Sequence, residues 1–216
     1  MTRSSITANE RSDDRDQPTL VQFPGGSWNS TIIEQIEVPG CSNHYAIHEK
    51  MSDGSWQTRD EIQFPDPHGY SVLVPMKQTL WPLPGRPIQY DSDEGLCKSI
   101  REFIDYHLEL RDTRCYTIET CFVLTTWRIE EFDVVPYLDF LGPKNTGKSM
   151  ALQILEQLCF RAWNITSPTA ATIFYVIDRY HPTLLLDNYE FWPKDTRNEI
   201  YGILNAGYRK GAIVPR

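Results

Sequence analysis

Residues 137–158 read YLDFLGPKNTGKSMALQILEQL, and the fold turns on this stretch. The apolar run from Val135 to Leu141 predicts a short strand. Gly142-Pro143-Lys144-Asn145-Thr146-Gly147-Lys148-Ser149 follows, matching the pattern G-x-x-x-x-G-K-[ST]. Met150 to Leu158 is rich in helix formers, so the pattern sits in the strand–loop–helix context that its chemistry requires. Gly142 and Gly147 permit backbone angles that turn successive N–H groups toward phosphate oxygens. The helix N-terminus adds the positive end of its dipole. Lys148 would reach the β- and γ-phosphates, and the Ser149 hydroxyl is the expected Mg²⁺ ligand. Lys144 reads as a solvated loop lysine, with a contribution to the local positive field as the alternative.

The nucleotide implied is ATP with Mg²⁺, although no base-reading motif separates ATP from GTP. A metal-assisted phosphate site also needs a carboxylate at the end of a neighbouring strand. HPTLLLDNYEFW (181–192) supplies it: Thr183 to Leu186 predicts a strand, and Asp187 ends it. Asp187 therefore joins Ser149 as a metal residue, and the catalytic set becomes Lys148, Asp187 and Glu190. Asn188 follows the acid directly, and an amide can orient water but cannot accept its proton. Glu190 takes that role if the turn bends inward, and is otherwise a loop acid.

Between the two motifs lies NITSPTAATIFYVIDRYHP (164–182). Ser167 and Pro168 read as N-cap and N1 of a crossover helix. The stretch around Phe160 to Ile165 predicts a second strand parallel to Thr183–Leu186. Thr196 and Glu199 have capping-box spacing, predicting a helix from Arg197 to about Ala206 that Gly207 closes.

Upstream, DSDEGLCKSIREFIDYHLEL (91–110) sets Leu96, Ile100, Phe103, Ile104 and His107 at helical spacing, with acids in its first turn. CYTIETCFVLTTWRIEEF (115–132) predicts a second helix despite its β-branched content. Residues 19–88 differ in character: TLVQF, TIIEQIEV, HYAIHEK, EIQF and YSVLVPM read as strands. Gly25-Gly26, Pro39-Gly40, Asp53-Gly54 and Pro65-Asp66-Pro67 punctuate them as turns. TLWPLPGRPIQY (79–90) reads as a connector, and Trp28, Trp56 and Trp81 as core residues. Residues 1–18 are polar and predict a disordered tail. The organisation expected is thus a tail (1–18), a β-rich module (19–88), and a helical lead-in with an α/β P-loop nucleotide-binding core (89–216).

The chain has 216 residues, a net charge of −8 and five cysteines. The charge gives no electrostatic case for generic DNA binding. The odd, irregularly spaced cysteines suit reduced, mostly buried thiols rather than a disulfide framework. Cys41, His44 and His48 have ligand-like spacing but no fourth ligand nearby, and read as a polar loop entering a strand. No run approaches the roughly 18–20 apolar residues of a membrane span, and the N-terminus lacks the apolar core of a secretory signal. The expectation is an intracellular, cytoplasmic protein without membrane contact.

Residues from about Thr117 to Arg216 resemble the P-loop ATPase domain of phage- and plasmid-type replication proteins, a helicase-like group within the AAA+ and superfamily 3 plan. The segments that carry this are GPKNTGKSMALQILEQLC (142–159), ITSPTAATIFYVIDRYHPTLLLDN (165–188) and RNEIYGILNAGYRKGAIVPR (197–216). The resemblance implies ATP hydrolysis coupled to single- or double-stranded DNA, and a homo-oligomeric ring where the full domain is present. It also implies further strands, so the parallel sheet of this chain is expected to be incomplete on its C-terminal side. Members carry Asp-Glu where this chain has Asp187-Asn188, which keeps a nucleotide-binding switch without turnover as the alternative. A small-molecule kinase shares the loop but would need an arginine-rich lid. Arg209 and Lys210 read as a solvated basic turn, with DNA phosphates or a neighbour's nucleotide as alternative contacts; Asn205 reads as helix-end packing.

Overall fold

The computed structural model describes residues 19–22, 25–28, 31–40, 44–49, 55, 57–59, 62–66, 69–88 and 90–211. The tail 1–18, the Asp53-Gly54 turn, Trp56 and Cys41 lie outside the described residues. The architecture is mixed α/β and divides into two compact units. The described residues of Met1–Thr79 and Leu83–Ile88 form one, and those of Leu80–Pro82 and Gln89–Arg216 form the other.

The first unit holds two small sheets. Strands β2 (Gly25–Trp28), β3 (Thr31–Ile36), β4 (His44–Glu49) and β5 (Gln57–Arg59) form an antiparallel sheet in sequence order. Strand β7 (Gly69–Val74) lies between β1 (Thr19–Gln22), parallel to it, and β6 (Ile62–Asp66), antiparallel. Ile33, Ile36, Tyr45, Ala46, Val72 and Met76 are buried. The buried Gln35 amide donates to the Met76 carbonyl at 2.7 Å and accepts from its N–H at 3.0 Å. Of the expected turns, Gly25-Gly26 is strand instead, and the first two residues of Pro65-Asp66-Pro67 are strand while Pro67 lies outside the described residues. Gly25-Gly26 pairs with Ile33 and Glu34, because a facing strand supplies the ladder that the glycines alone do not suggest. Pro65 and Asp66 belong to β6, an edge strand, where a missing N–H is tolerated.

The second unit begins with two helices, α1 (Asp93–His107) and α2 (Thr113–Trp127). Ser92 caps α1 by accepting from the Gly95 N–H at 3.0 Å, and Asp112 caps α2 by accepting from Arg114 N–H. Tyr116 ties the connection together: its hydroxyl donates to the Leu108 carbonyl and accepts from Leu110 N–H. Helix α3 (Lys148–Leu158) leads to β8 (Ala162–Ile165), α4 (Ala170–Tyr180), β9 (Thr183–Leu186) and α5 (Lys194–Gly207). Strands β8 and β9 pair in parallel, Ala162 with Thr183 through Ile165 with Leu186.

Helices cover both faces of this two-stranded sheet, which explains its almost unbroken apolar sequence. On one face Val123 of α2 and Leu155 and Cys159 of α3 pack with Ala162 and Leu185. On the other, Ile165 packs with Ile173 of α4, Trp192, and Ile200 and Ile203 of α5. Ile104, Leu108 and Tyr116 meet Ala151 and Ile154 of α3 in a third cluster. Trp81 belongs to this unit: it is buried, its ring stands 5.6 Å from that of Tyr180, and the Arg161 guanidinium lies over it.

Several expectations for this unit are corrected. The crossover helix starts at Ala170, and its cap is Thr169, whose hydroxyl accepts from Thr172 N–H, rather than Ser167. Helix α5 starts at Lys194 behind Pro193, so Thr196 and Glu199 form no capping box. It runs through Gly207, because the chain leaves it toward Val134 and adopts a left-handed glycine only at Gly211. Asn205 is exposed rather than packed. Of the thiols among the described residues, only Cys159 is buried, and burial pushes it up to about 12. Among the described residues no helix is long and apolar enough to cross a membrane.

Glu119 of α2 is 2% exposed, and its buried Oε2 has no hydrogen-bond partner among the described residues. Burial pushes its carboxyl up from 4.5 to about 7. The unfolded chain releases this proton at the lower value, so the stability held by the neutral form is full below it and is lost as pH rises toward about 7. Denaturation midpoints at about pH 5 and about pH 8 should fall for the parent and fall less for Glu119→Gln, the difference being about 1–3 kcal/mol. Parallel loss in both proteins would remove Glu119 as the cause.

Candidate functional site

The chain leaves α2 through a 3₁₀ turn, Ile129–Glu131, and runs to Leu141 with neither helix nor strand. Val134 bridges Arg209, Val135 N–H donates to the Tyr208 carbonyl at 2.9 Å, and Tyr137 hydroxyl donates to the Leu204 carbonyl at 2.6 Å. The strand expected over Val135–Leu141 does not form. From 136 to 141 the backbone makes no hydrogen bond among the described residues, so there is no ladder. Side chains hold the segment instead: Leu138 and Phe140 pack on the cluster around Leu155.

The loop that follows is shaped by two glycines. A Cβ at Gly142 would stand 2.8 Å from Thr146 Oγ1, which itself donates to the Pro143 carbonyl at 2.8 Å. Asn145 and Gly147 both have positive φ, 64° and 88°, a region costly for most side chains. Helix α3 then begins with Gly147 as N-cap and no side-chain cap, whereas Ser92, Asp112 and Thr169 cap their helices. Its first N–H groups therefore face out of the helix without an intrahelical acceptor.

Lys148 curls back over the loop, its ammonium donating to the carbonyls of Gly142 and Pro143, both at 2.8 Å. Ser149 hydroxyl donates to Asp187 Oδ1 at 3.1 Å. The structure thus brings Gly142–Ser149 and Asp187 together at one place, the start of α3 and the end of β9. Beyond Asp187 the chain turns at Asn188, with φ 53° and ψ 34°, into a 3₁₀ turn at Tyr189–Phe191. The Glu190 side chain lies outside the described residues. Arg209 and Lys210 sit elsewhere, Lys210 donating to the Glu130 carbonyl at 2.7 Å.

The sequence alone does not single out Phe191. It is 66% exposed, and the Lys144 ammonium stands 5.3 Å from its ring centroid. The signal was the aromatic pair Phe191-Trp192 directly after the acidic motif, of which one ring alone is buried. A cleft of about 600 Å³ opens beside the site, between the 135–140 segment and β9, with α5 along it; Lys148 and Asp187 stand on its lining. Among the described residues no group of three or more His, Cys, Asp or Glu could hold a metal ion. A hydroxyl and one carboxylate meeting at hydrogen-bond distance instead form a hard-oxygen pair, the donor type that suits Mg²⁺ when phosphate and water complete its shell.

No protein-family model matches this chain, and neither a curated protein nor a solved structure matches it.

Gly142→Ala should push the Thr146 hydroxyl off the Pro143 carbonyl and cost about 1 kcal/mol, the order of one hydrogen bond. Adding Thr146→Ala should recover part of the clash, giving a non-additive double-mutant cycle by chemical denaturation. Additive effects would show that the close approach does not govern the loop.

Proposed function

We propose that this chain binds a nucleoside triphosphate, ATP foremost, with Mg²⁺, in the loop Gly142–Ser149. The observation that carries the reading is the Ser149–Asp187 hydrogen bond at 3.1 Å, which joins positions 38 residues apart. A hydroxyl at the start of a helix and a carboxylate at the end of a parallel strand are the two groups a metal-assisted phosphate site needs side by side. Residues Gly142, Pro143, Lys144, Asn145, Thr146 and Gly147 would surround the phosphates, which the uncapped start of α3 attracts. Lys148 would exchange its two carbonyl partners for phosphate oxygens, a contact between opposite charges that is stronger than the ammonium–carbonyl one it replaces. Ser149 and Asp187 would hold Mg²⁺, which neutralises charge along the phosphates when bound.

The wider reading is a helicase-like, DNA replication-associated ATPase. Its support is the resemblance carried by the 142–159, 165–188 and 197–216 segments, and single- or double-stranded DNA and a homo-oligomeric ring belong to it as partners. A second reading, a nucleotide switch with little turnover, is favoured by Asn188: the residue after the acid offers an amide where a proton acceptor is required.

Calorimetric titration with Mg²⁺-ATP should give saturable binding. Lys148→Ala should weaken it about ten- to a hundredfold, as expected for a lost hydrogen bond to a charged group. Asp187→Ala should bind equally with and without Mg²⁺. Unchanged affinity in Lys148→Ala sinks the assignment of the loop. ATP turnover with and without single-stranded DNA then separates the two readings: DNA-stimulated release of phosphate supports the motor, and binding without turnover supports the switch.

A further inference from the structure

We propose that Lys144 and Phe191 form a clasp across the mouth of the loop, holding the Lys144 ammonium ready for the terminal phosphate of a bound triphosphate. The inference rests on the nucleotide-binding reading and adds to it a residue that discriminates triphosphate from diphosphate.

Phe191 is exposed for a reason of geometry. Trp192 beside it is 5% exposed, packed with Ile165, Ile173, Ile200 and Ile203. The 3₁₀ turn that carries both is closed by Phe191 N–H to the Asn188 carbonyl at 3.0 Å and Trp192 N–H to the Tyr189 carbonyl at 3.1 Å. With Trp192 anchored inward, Phe191 points outward, and what it meets there is a cation rather than apolar surface. Lys144 is steered from its own side. Pro143 before it has a ring-fixed φ, and Asn145 after it is left-handed, so the direction in which the side chain leaves the loop is constrained.

The two lysines of the loop therefore occupy different places. Lys148 is drawn back onto the carbonyls of Gly142 and Pro143. Lys144 reaches across to the turn that begins one residue after Asp187, and Asp187 is tied to Ser149. If Ser149 and Asp187 mark the metal end of the phosphates, Lys144 stands on the side of the terminal phosphate. An exposed cation–π contact is a weak interaction. That is enough to bias where the ammonium waits and too little to prevent its transfer to a phosphate oxygen, whose charge-assisted hydrogen bond is stronger. Phe191 acts through Lys144 and is a positioning residue.

The test compares Mg²⁺-ATP and Mg²⁺-ADP affinities by calorimetry in the parent, K144M, F191L and F191Y. K144M should lose about five- to tenfold in ATP affinity with ADP affinity within about twofold of the parent, since a single charge-assisted contact is at stake. F191L should lose part of the same preference, and F191Y, which keeps the ring, should retain it. Equal weakening of ATP and ADP in K144M, or an F191L variant indistinguishable from the parent, overturns the clasp while leaving nucleotide binding intact. A parent that binds neither nucleotide overturns both.

Discussion

The hydrogen bond from Asp187 N–H to the Ile165 carbonyl, at 3.0 Å, extends the β8–β9 ladder one step past its last pair, and the site is built outward from it. It fixes the backbone of the acid to a sheet that is itself pinned at the other end, where Thr183 hydroxyl donates to the Phe160 carbonyl at 2.7 Å. Phe160 N–H in turn donates to Thr126 of α2, and Trp127 Nε1 to the Leu158 carbonyl at the end of α3. Helix α3 thus has both its C-terminal end and its Leu155 face tied to the same strands. Its first turn, carrying Ser149, is consequently held against the end of β9. A one-residue slip of β9 would turn Leu185 to the opposite face and Asp187 away from Ser149, so register and site are a single constraint.

The same logic accounts for the segment that fails to become a strand. Val135, Leu138, Phe140 and Leu141 supply strand-like apolar content, yet a ladder needs a second backbone at about 4.8 Å. Across the cleft of about 600 Å³ stands β9, already paired with β8 on its other side. Local preference sets the conformation of 135–141; pairing alone could make it sheet. The Tyr137 contact to Leu204 and the Val134–Arg209 bridge hold its start against α5, and Leu138 and Phe140 hold the rest against α3. Gly142 is therefore delivered to its place by side-chain packing.

What was legible in the sequence follows from which features are local. Thr183–Leu186 was readable to the residue because Pro182 and Asp187 bound a run of four apolar or β-branched residues. The start of α1 was readable because its acids and apolar spacing act within one or two turns. The companionship of Ser149 and Asp187 was expected because a metal-assisted phosphate site needs a carboxylate at the end of a neighbouring strand, and Asp187 ends an apolar run. Three kinds of feature were hidden. Caps compete: Ser167 and Thr196 have the right chemistry, but Thr169 and Pro193 occupy the positions that packing of α4 and α5 selects. Pairing is non-local, so the glycines of β2 looked like a turn and 135–141 like a strand. Side-chain direction depends on neighbours far in sequence, which is why the exposure of Phe191 follows only from the burial of Trp192.

Asn188 connects these threads. Its left-handed backbone turns the chain sharply after Asp187, and that turn lets Tyr189–Phe191 coil and Trp192 plug the core. Asparagine is among the few side chains that adopt this region readily; a longer residue such as glutamate would pay about 1–2 kcal/mol. The Asp-Glu pair that the resemblance implies thus conflicts with the backbone found here. The turn that carries Phe191 to Lys144 also places an amide where a proton acceptor would follow the acid. On the proposed reading, recognition of phosphate and metal would draw on Lys148, Ser149 and Asp187 and leave this position aside, while turnover would need an acceptor from elsewhere, so binding and hydrolysis would separate at this one residue.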